Sequence, residues 1–156
     1  ICLTDVWNRM IANKSKGIRT WLYLDEFYLI LKEHMSAEYL QMIWKRARKW
    51  GGCPTGITQN VEDLFATNEG TTIIETSDMI TMLKQAPNNR AQLAAMLHIS
   101  DEQQEFISNV NPGEGLLYLG GTLIPFKNQF PIDTKLYKIM STKPDDAEKV
   151  AASIRI

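Results

Sequence analysis

The amino-acid sequence predicts an α/β fold, with a parallel sheet flanked by helices and a β-hairpin towards the C-terminal end. Residues 18–24 are mostly strand-forming and lead into two acids, Asp25 and Glu26, as in a strand covered on both faces. An amphipathic helix and a second strand follow, which is the arrangement of a right-handed crossover between parallel strands. Further along, Gly120-Gly121 joins two short strands and indicates the hairpin.

The first helices are predicted from their caps and from the spacing of apolar residues. Thr4 is the expected cap of a helix over residues 5–14, and Gly17 ends it. Ser36 is the expected N-cap of a longer helix over residues 37–50. The apolar residues of that helix recur at spacings of three and four and form one stripe: Tyr39, Leu40, Ile43, Trp44, Ala47 and Trp50.

The second strand is predicted over residues 53–59, directly after Gly51-Gly52. Asn60 can cap the short helix that follows it. A further helix is expected near residues 71–76, and it leads to a strand over residues 79–83.

The second half of the chain is predicted to be a helical pair followed by the hairpin. One helix covers residues 90–97, and the other begins at Ser100, whose Ser-x-x-Gln spacing to Gln103 is a capping box. Residues 112–115, Pro-Gly-Glu-Gly, then break the chain, and residues 142–145 open a final helix. The strands of the hairpin are residues 116–119 and 122–126.

Composition and charge narrow the possible classes of protein. The 156 residues are 44% hydrophobic with a net charge of −1, which argues against broad nucleic-acid binding. His34 and His98 are too scattered for a metal cluster, and Cys2 and Cys53 are expected to be reduced thiols in a cytoplasmic compartment. No apolar run is long enough to span a bilayer. The start at Ile1, without an initiator Met, is expected of a chain that begins partway through a longer protein.

Asp25 and Glu26 are the candidate catalytic residues. Nucleotide hydrolysis needs Mg²⁺ near the β- and γ-phosphates of ATP and a carboxylate that orients the attacking water. At the tip of a buried strand, Asp25 can hold Mg²⁺ through water, and Glu26 can face the γ-phosphate. Without such a function, two acids at this place would only cost folding free energy, because the tip of a covered strand is only partly solvated. The alternative is a strand that ends in an exposed acidic loop or a helix cap.

Gln59 is a further candidate, because it ends the next parallel strand. The carboxyl ends of parallel strands meet at one edge of the sheet, where ligands bind, so Gln59 is expected to lie beside Asp25 and Glu26. A neutral amide there can bind the γ-phosphate or the attacking water. The alternative is that Thr58, Gln59 and Asn60 merely cap the following helix.

Four basic residues crowd the end of the long helix: Lys45, Arg46, Arg48 and Lys49. Cations at this position complement the helix dipole, which is a purely structural role. The functional alternative is that Arg46 or Arg48 reaches the nucleotide of a neighbouring subunit as an arginine finger. A phosphate-binding P-loop is missing, because no G-x-x-x-x-G-K-[ST] motif occurs in the sequence.

Three stretches, residues 21–27, 39–52 and 54–64, together resemble the VirB/TraE-type conjugative-transfer ATPases of type IV secretion systems, in the form carried by Gram-positive conjugative elements. Residues 112–115 and 141–144 extend the resemblance over nearly the whole chain. It implies that residues 1–156 are the C-terminal portion of a single RecA-like ATPase domain without its P-loop strand. That strand is expected upstream and would lie beside the predicted strand 53–59, which leaves a gap before the strand 79–83.

The same resemblance implies ATP and Mg²⁺ as ligands and ATP hydrolysis that powers DNA or protein transfer and assembly of a pilus or channel. The family's Walker B pair corresponds to Asp25 and Glu26, its glutamine to Gln59, and its basic helix to Arg46 and Arg48. Expected partners are other subunits of a homo-oligomeric ring and membrane-associated channel components, with the protein at the inner face of the cell membrane. The fragment alone is expected to be inactive. The alternatives are a non-catalytic interaction module and a fragment of the related DNA-pumping coupling ATPase.

Overall fold

The computed structural model describes residues 2–128 and 130–141. In the first half of the chain, helices separate successive strands, as the sequence predicts, and a short helix over Tyr28–Leu31 is added that the sequence did not predict. The helices are α1 (Leu3–Ser15), α2 (Tyr28–Leu31), α3 (His34–Ala47), α4 (Glu62–Phe65), α5 (Asn68–Glu75), α6 (Pro87–Leu97), α7 (Asp101–Asn109) and α8 (Lys135–Met140), and a 3₁₀ turn, Arg48–Trp50, follows α3. The strands are β1 (Thr20–Asp25), β2 (Gly52–Ile57), β3 (Met79–Met82), β4 (Glu114–Leu119) and β5 (Thr122–Lys127).

The described strands form two sheets. β1 and β2 are parallel, in a register that pairs Thr20 with Gly52 and Asp25 with Ile57, and α3 lies in the crossover between them. This confirms the predicted strand-helix-strand unit. β3, β4 and β5 form a separate antiparallel sheet in that order. The predicted hairpin is therefore confirmed, and it is part of a three-stranded sheet because β4 also pairs with β3. The predicted gap for a P-loop strand stays a prediction.

The longest crossover helix, α3, carries the core of the first half. Its buried residues are Ala37, Leu40, Ile43 and Ala47, which recur at spacings of three and four. Three aromatic residues of the predicted stripe, Tyr39, Trp44 and Trp50, are only half-buried. The buried side packs against Leu24, Phe27 and Leu31 on one part of the helix and against Met10 on another. The strand β1 is thus fixed by burial against the helix that follows it.

One face of β1 is open, which the sequence did not predict. Trp21 and Tyr23 are 58% and 65% exposed, whereas Leu24 is buried. Alternate residues of a strand point to opposite faces, so the described elements cover only the face that carries Leu24. The expectation that β1 is covered on both faces was wrong for this part of the chain.

Two of the predicted caps were also wrong. Cys2, not Thr4, precedes α1. Glu33, not Ser36, is the N-cap of α3, which begins at His34. The carboxylate of Glu33 accepts the backbone N–H groups of Met35 and Ser36 at 3.2 and 2.7 Å. The hydrogen bonds from Ser36 and Met35 also lower the pKa of Glu33.

Other local predictions were confirmed. Ser100 and Gln103 form both hydrogen bonds of the capping box at the start of α7. Gly120 and Gly121 have φ values of 53° and 85°, the left-handed conformations that a two-residue hairpin turn requires. The helix predicted to open at residues 142–145 lies outside the described residues. Within the part of the chain that is described, no helix has the length and apolarity needed to cross a membrane.

Glu114 is the first residue of β4 and Lys127 is the last residue of β5, so both lie at the end of the hairpin away from its turn. They are paired in the strand register, and their side chains form an ion pair at 2.8 Å. The hydrogen bond from Lys127, together with the backbone N–H of Asn111, lowers the pKa of Glu114 to about 2. Because the folded pKa lies below its ordinary value of 4.5, the ionised carboxylate stabilises the fold above that pH.

This contribution is expected to disappear as the pH falls from about 4.5 towards about 2. Replacing Glu114 by Gln should therefore lower the urea midpoint near neutral pH, and the difference from wild type should shrink as the solution is acidified. Glu105→Gln, on the exposed part of α7, is the matched control. A difference that stayed constant with pH would show that the ion pair is not the cause.

Candidate functional site

The candidate site lies at the carboxyl edge of the parallel sheet. Asp25 is the last residue of β1, is exposed, and is paired in register with Ile57, the last residue of β2. The backbone N–H of Phe27 donates to the carbonyl oxygen of Ile57 at 3.3 Å, which ties the loop after β1 to the end of β2. One carboxylate oxygen of Asp25 accepts the backbone N–H of Glu26 at 3.0 Å. Asp25 is therefore held at the strand tip and remains accessible to solvent.

Glu26 has two unusual features. Its φ is 48°, a left-handed backbone conformation that few residues other than glycine adopt. Its Oε2 atom is buried without a hydrogen-bond partner, the only such side-chain nitrogen or oxygen atom found within residues 2–128 and 130–141. A buried polar atom without a hydrogen-bond partner costs about 1–3 kcal/mol, and more in a charged group. Both features store free energy at one residue, as is common at functional sites.

Gln59 lies in the loop two residues beyond β2, at the same edge of the sheet as Asp25, and is exposed. Its two neighbours make the local hydrogen bonds: the side chain of Thr58 accepts the N–H of Asn60, and the side chain of Asn60 accepts the N–H of Glu62. The side chain of Asn60 therefore accepts the first N–H group of α4, although the residue at the N-cap itself is Val61. Among the described residues, the side chain of Gln59 forms none of the hydrogen bonds of this turn.

Arg46 and Arg48 lie at the opposite edge of the sheet. Arg46 is in the last turn of α3, and Arg48 begins the 3₁₀ turn that leads to Gly52, the residue paired with Thr20 at the start of β1. Both arginines are exposed, and neither forms an ion pair with any residue that the structure describes. The length of β1, about 16 Å at the usual rise of a strand, separates this edge from Asp25. The structure thus brings Asp25, Glu26 and Gln59 to one edge and leaves the arginines at the other.

Sequence reasoning missed the residues that support Glu26. Phe27 is 4% exposed and stacks on Trp44, with ring centroids 5.9 Å apart. The ring of Phe27 also lies over Gly56, in the space that a side chain at that position would occupy. A glycine inside a predicted strand often marks such a close approach, so Gly56 was the available clue.

The donor atoms at this edge fit a magnesium ion only in part. Mg²⁺ prefers oxygen ligands and is usually held by one or two carboxylates, water and substrate phosphates. Asp25 is an exposed carboxylate at the strand tip, and Glu26 has a buried oxygen without a partner. No group of three or more His, Cys, Asp or Glu residues that could hold a metal ion occurs among the residues described. The site therefore fits Mg²⁺ held through water and phosphates, and the P-loop that binds those phosphates is not in this sequence.

A family model and a solved structure match this chain. The family model described as the TraG P-loop domain matches residues 1–118. The solved structure of VirB4 of Thermoanaerobacter pseudethanolicus superposes on the chain with a TM-score of 0.73 at 23% sequence identity. The alignment covers 83% of this chain and 35% of the VirB4 chain, so this chain spans about a third of that protein. No curated protein matches.

The VirB4 likeness shows the fold, and the match to the family model spans most of the chain. Together they confirm the α/β fold class and the resemblance to conjugative-transfer ATPases. This chain belongs to the TraG P-loop domain family, a family of P-loop ATPases.

Proposed function

We propose that these 156 residues are the Walker B half of an ATPase that hydrolyses ATP to power DNA or protein transfer in conjugation. The observation that carries the proposal is the strained Glu26 directly after Asp25, with a buried carboxylate oxygen that lacks a partner. A hydrogen-bond donor supplied by bound nucleotide, or by its water, would satisfy that oxygen. An ordinary acidic loop would leave the backbone unstrained and the carboxylate in water.

Each residue at the edge then has a distinct role. Asp25 holds the hydration shell of Mg²⁺, and Glu26 accepts a proton from the attacking water and orients it. Gln59 donates its side-chain amide to the γ-phosphate or to the same water. The metal ion, when bound, neutralises charge on the phosphates.

The remainder of the nucleotide site is proposed to come from a part of the protein outside these residues. The sequence has no P-loop, although it matches the model of a P-loop domain. The open face of β1, with Trp21 and Tyr23, supports the same proposal, because parallel sheets are normally covered on both faces. The proposed partners are ATP, neighbouring copies in a ring and membrane-associated channel components, at the inner face of the membrane.

The missing P-loop also favours a second candidate, a non-catalytic module that kept the fold and lost nucleotide binding. Purifying the parent protein and measuring Mg-ATP turnover separates the two. Turnover supports the ATPase, whereas a parent protein that neither binds nor hydrolyses ATP supports the module. The third alternative, a DNA-pumping coupling ATPase, is expected to hydrolyse ATP at a rate that depends on added DNA.

The 156-residue chain alone is expected to bind no ATP at about millimolar concentrations, because the backbone N–H nest and the lysine of a P-loop are the main phosphate contacts. Titration calorimetry of the chain with Mg-ATP measures this, with the parent protein as the positive control. Saturable binding to the isolated chain would contradict the proposal that the phosphate site lies elsewhere.

A further inference from the structure

The residue that follows Glu26 is held more tightly than the acids themselves. Phe27 is 4% exposed, although it lies in a loop between β1 and α2. An added Cβ at Gly56 would lie 2.6 Å from Cε1 and 2.7 Å from Cδ1 of the Phe27 ring. Real Cβ atoms do not approach other atoms this closely, so the ring of Phe27 occupies space that is free only because residue 56 is glycine.

The ring of Phe27 is also fixed from the side of α3. It stacks on Trp44 with an interplanar angle of 18°. Trp44 is held in turn, because its Nε1 donates to the hydroxyl of Ser77 at 3.1 Å. That hydroxyl donates to the carbonyl oxygen of Ile73 at 2.6 Å. The ring therefore packs between strand β2 and a tryptophan anchored to the end of α5.

The backbone around Glu26 is fixed as well. The N–H of Phe27 donates to Ile57 at 3.3 Å, and the carbonyl oxygen of Glu26 accepts the N–H of Leu29 at 3.0 Å. Glu26 has a left-handed φ of 48°, which its own side chain disfavours. Such a conformation persists only when the surrounding structure holds it. The contacts of Phe27 supply that restraint.

We propose that Phe27 is a positioning residue for Glu26. Its ring, packed against Gly56 and Trp44, keeps the Glu26 backbone left-handed and so places the carboxylate at the strand tip. This inference rests on the proposed ATPase function and deepens it. A merely structural role for Phe27 would affect the stability of the fold and leave the turnover of folded molecules unchanged.

Two glycine substitutions in β2 separate these roles in the parent protein. Gly56→Ala places a methyl group against the ring of Phe27. Gly52→Ala is the matched control, because its methyl group meets Sδ of Met10 and Cβ of Ala47 at the far end of the same strand. Both substitutions are expected to lower thermal stability. Only Gly56→Ala is expected to lower kcat for ATP, by about 10²-fold, the scale of a catalytic group displaced by about 1 Å.

The KM for ATP is expected to be the same in both variants, because neither glycine is among the residues proposed to hold Mg-ATP. Phe27→Leu, which keeps an apolar core residue without the ring, should reproduce the loss of kcat if Gly56→Ala fails to fold. Equal kcat in Phe27→Leu, Gly52→Ala and wild type would overturn the positioning role. A wild-type parent protein without ATPase activity would instead overturn the proposed function, and this inference with it.

Discussion

Replacing Glu26 by Gln in the parent protein is expected to lower ATP turnover by about 10²-fold or more, the usual scale for the loss of a catalytic base. The amide is nearly isosteric with the carboxylate but does not accept a proton from water. Because the backbone conformation of Glu26 is held by its neighbours, the substitution should leave the fold and ATP binding nearly intact. Steady-state turnover and equilibrium binding of Mg-ATP measure the two effects separately.

Asp25→Ala is expected to differ from Glu26→Gln in its effect on Mg-ATP binding. Asp25 is exposed and is proposed to hold Mg²⁺ through water, so its loss should weaken Mg-ATP binding as well as hydrolysis. Its carboxylate also accepts the N–H of Glu26, so part of the loss of turnover reflects a less restrained Glu26. If both variants turned over ATP like wild type, the tip of β1 would not be the active site.

The placement of the acids could be predicted from sequence because it depends on local rules. An apolar strand, an amphipathic helix with Leu40 and Ile43 on one stripe, and a second strand specify a parallel crossover. That topology alone brings Asp25 and Gln59 to the same edge. The capping box at Ser100 and the paired glycines of the hairpin are local in the same way.

Other features of the structure, including the conformation of Glu26 at this edge of the sheet, could not be predicted from sequence. Most of them depend on contacts between residues that are distant in the chain. The left-handed φ of Glu26 goes against the preference of the residue, and we propose that the packing of Phe27, together with the backbone hydrogen bonds of the loop, holds it. The pairing of β3 with β4 joins strands about thirty residues apart, and no periodicity in either strand specifies its partner. The start of α3 was misplaced because glutamate at position 33 took the place of a more usual capping residue.

The two interpretations of Arg46 and Arg48 predict different results in the parent protein. If an arginine only complements the dipole of α3, its replacement by Ala should lower the free energy of unfolding by about 0.3–1 kcal/mol and leave turnover unchanged. If it is a finger, turnover should fall about 10³-fold with the fold intact. Chemical denaturation and ATPase assays on each single variant distinguish these results. Lys45→Ala, an exposed cation on the same turn, is the matched control for the dipole effect.

The topology adds a constraint on any finger. Both arginines lie at the amino edge of the β1–β2 sheet, and the length of the strand separates them from Asp25 and Glu26 of the same chain. A finger must therefore act on the nucleotide of a neighbouring copy. A head-to-tail contact of this kind, repeated around a closed ring, places one arginine at each nucleotide.

Action between subunits can be tested by mixing two inactive proteins. An arginine variant keeps its Glu26, and a Glu26→Gln variant keeps its arginines, so a mixed interface can combine an intact carboxylate with an intact arginine. Mixed oligomers should then recover part of the wild-type turnover, while each variant alone at the same total concentration should not. Recovery should scale with the fraction of mixed interfaces, which follows from the mixing ratio when subunits exchange freely. If oligomers verified to contain both variants show no recovery, no arginine at the end of α3 acts in trans, and the role of Arg46 and Arg48 reduces to the helix dipole.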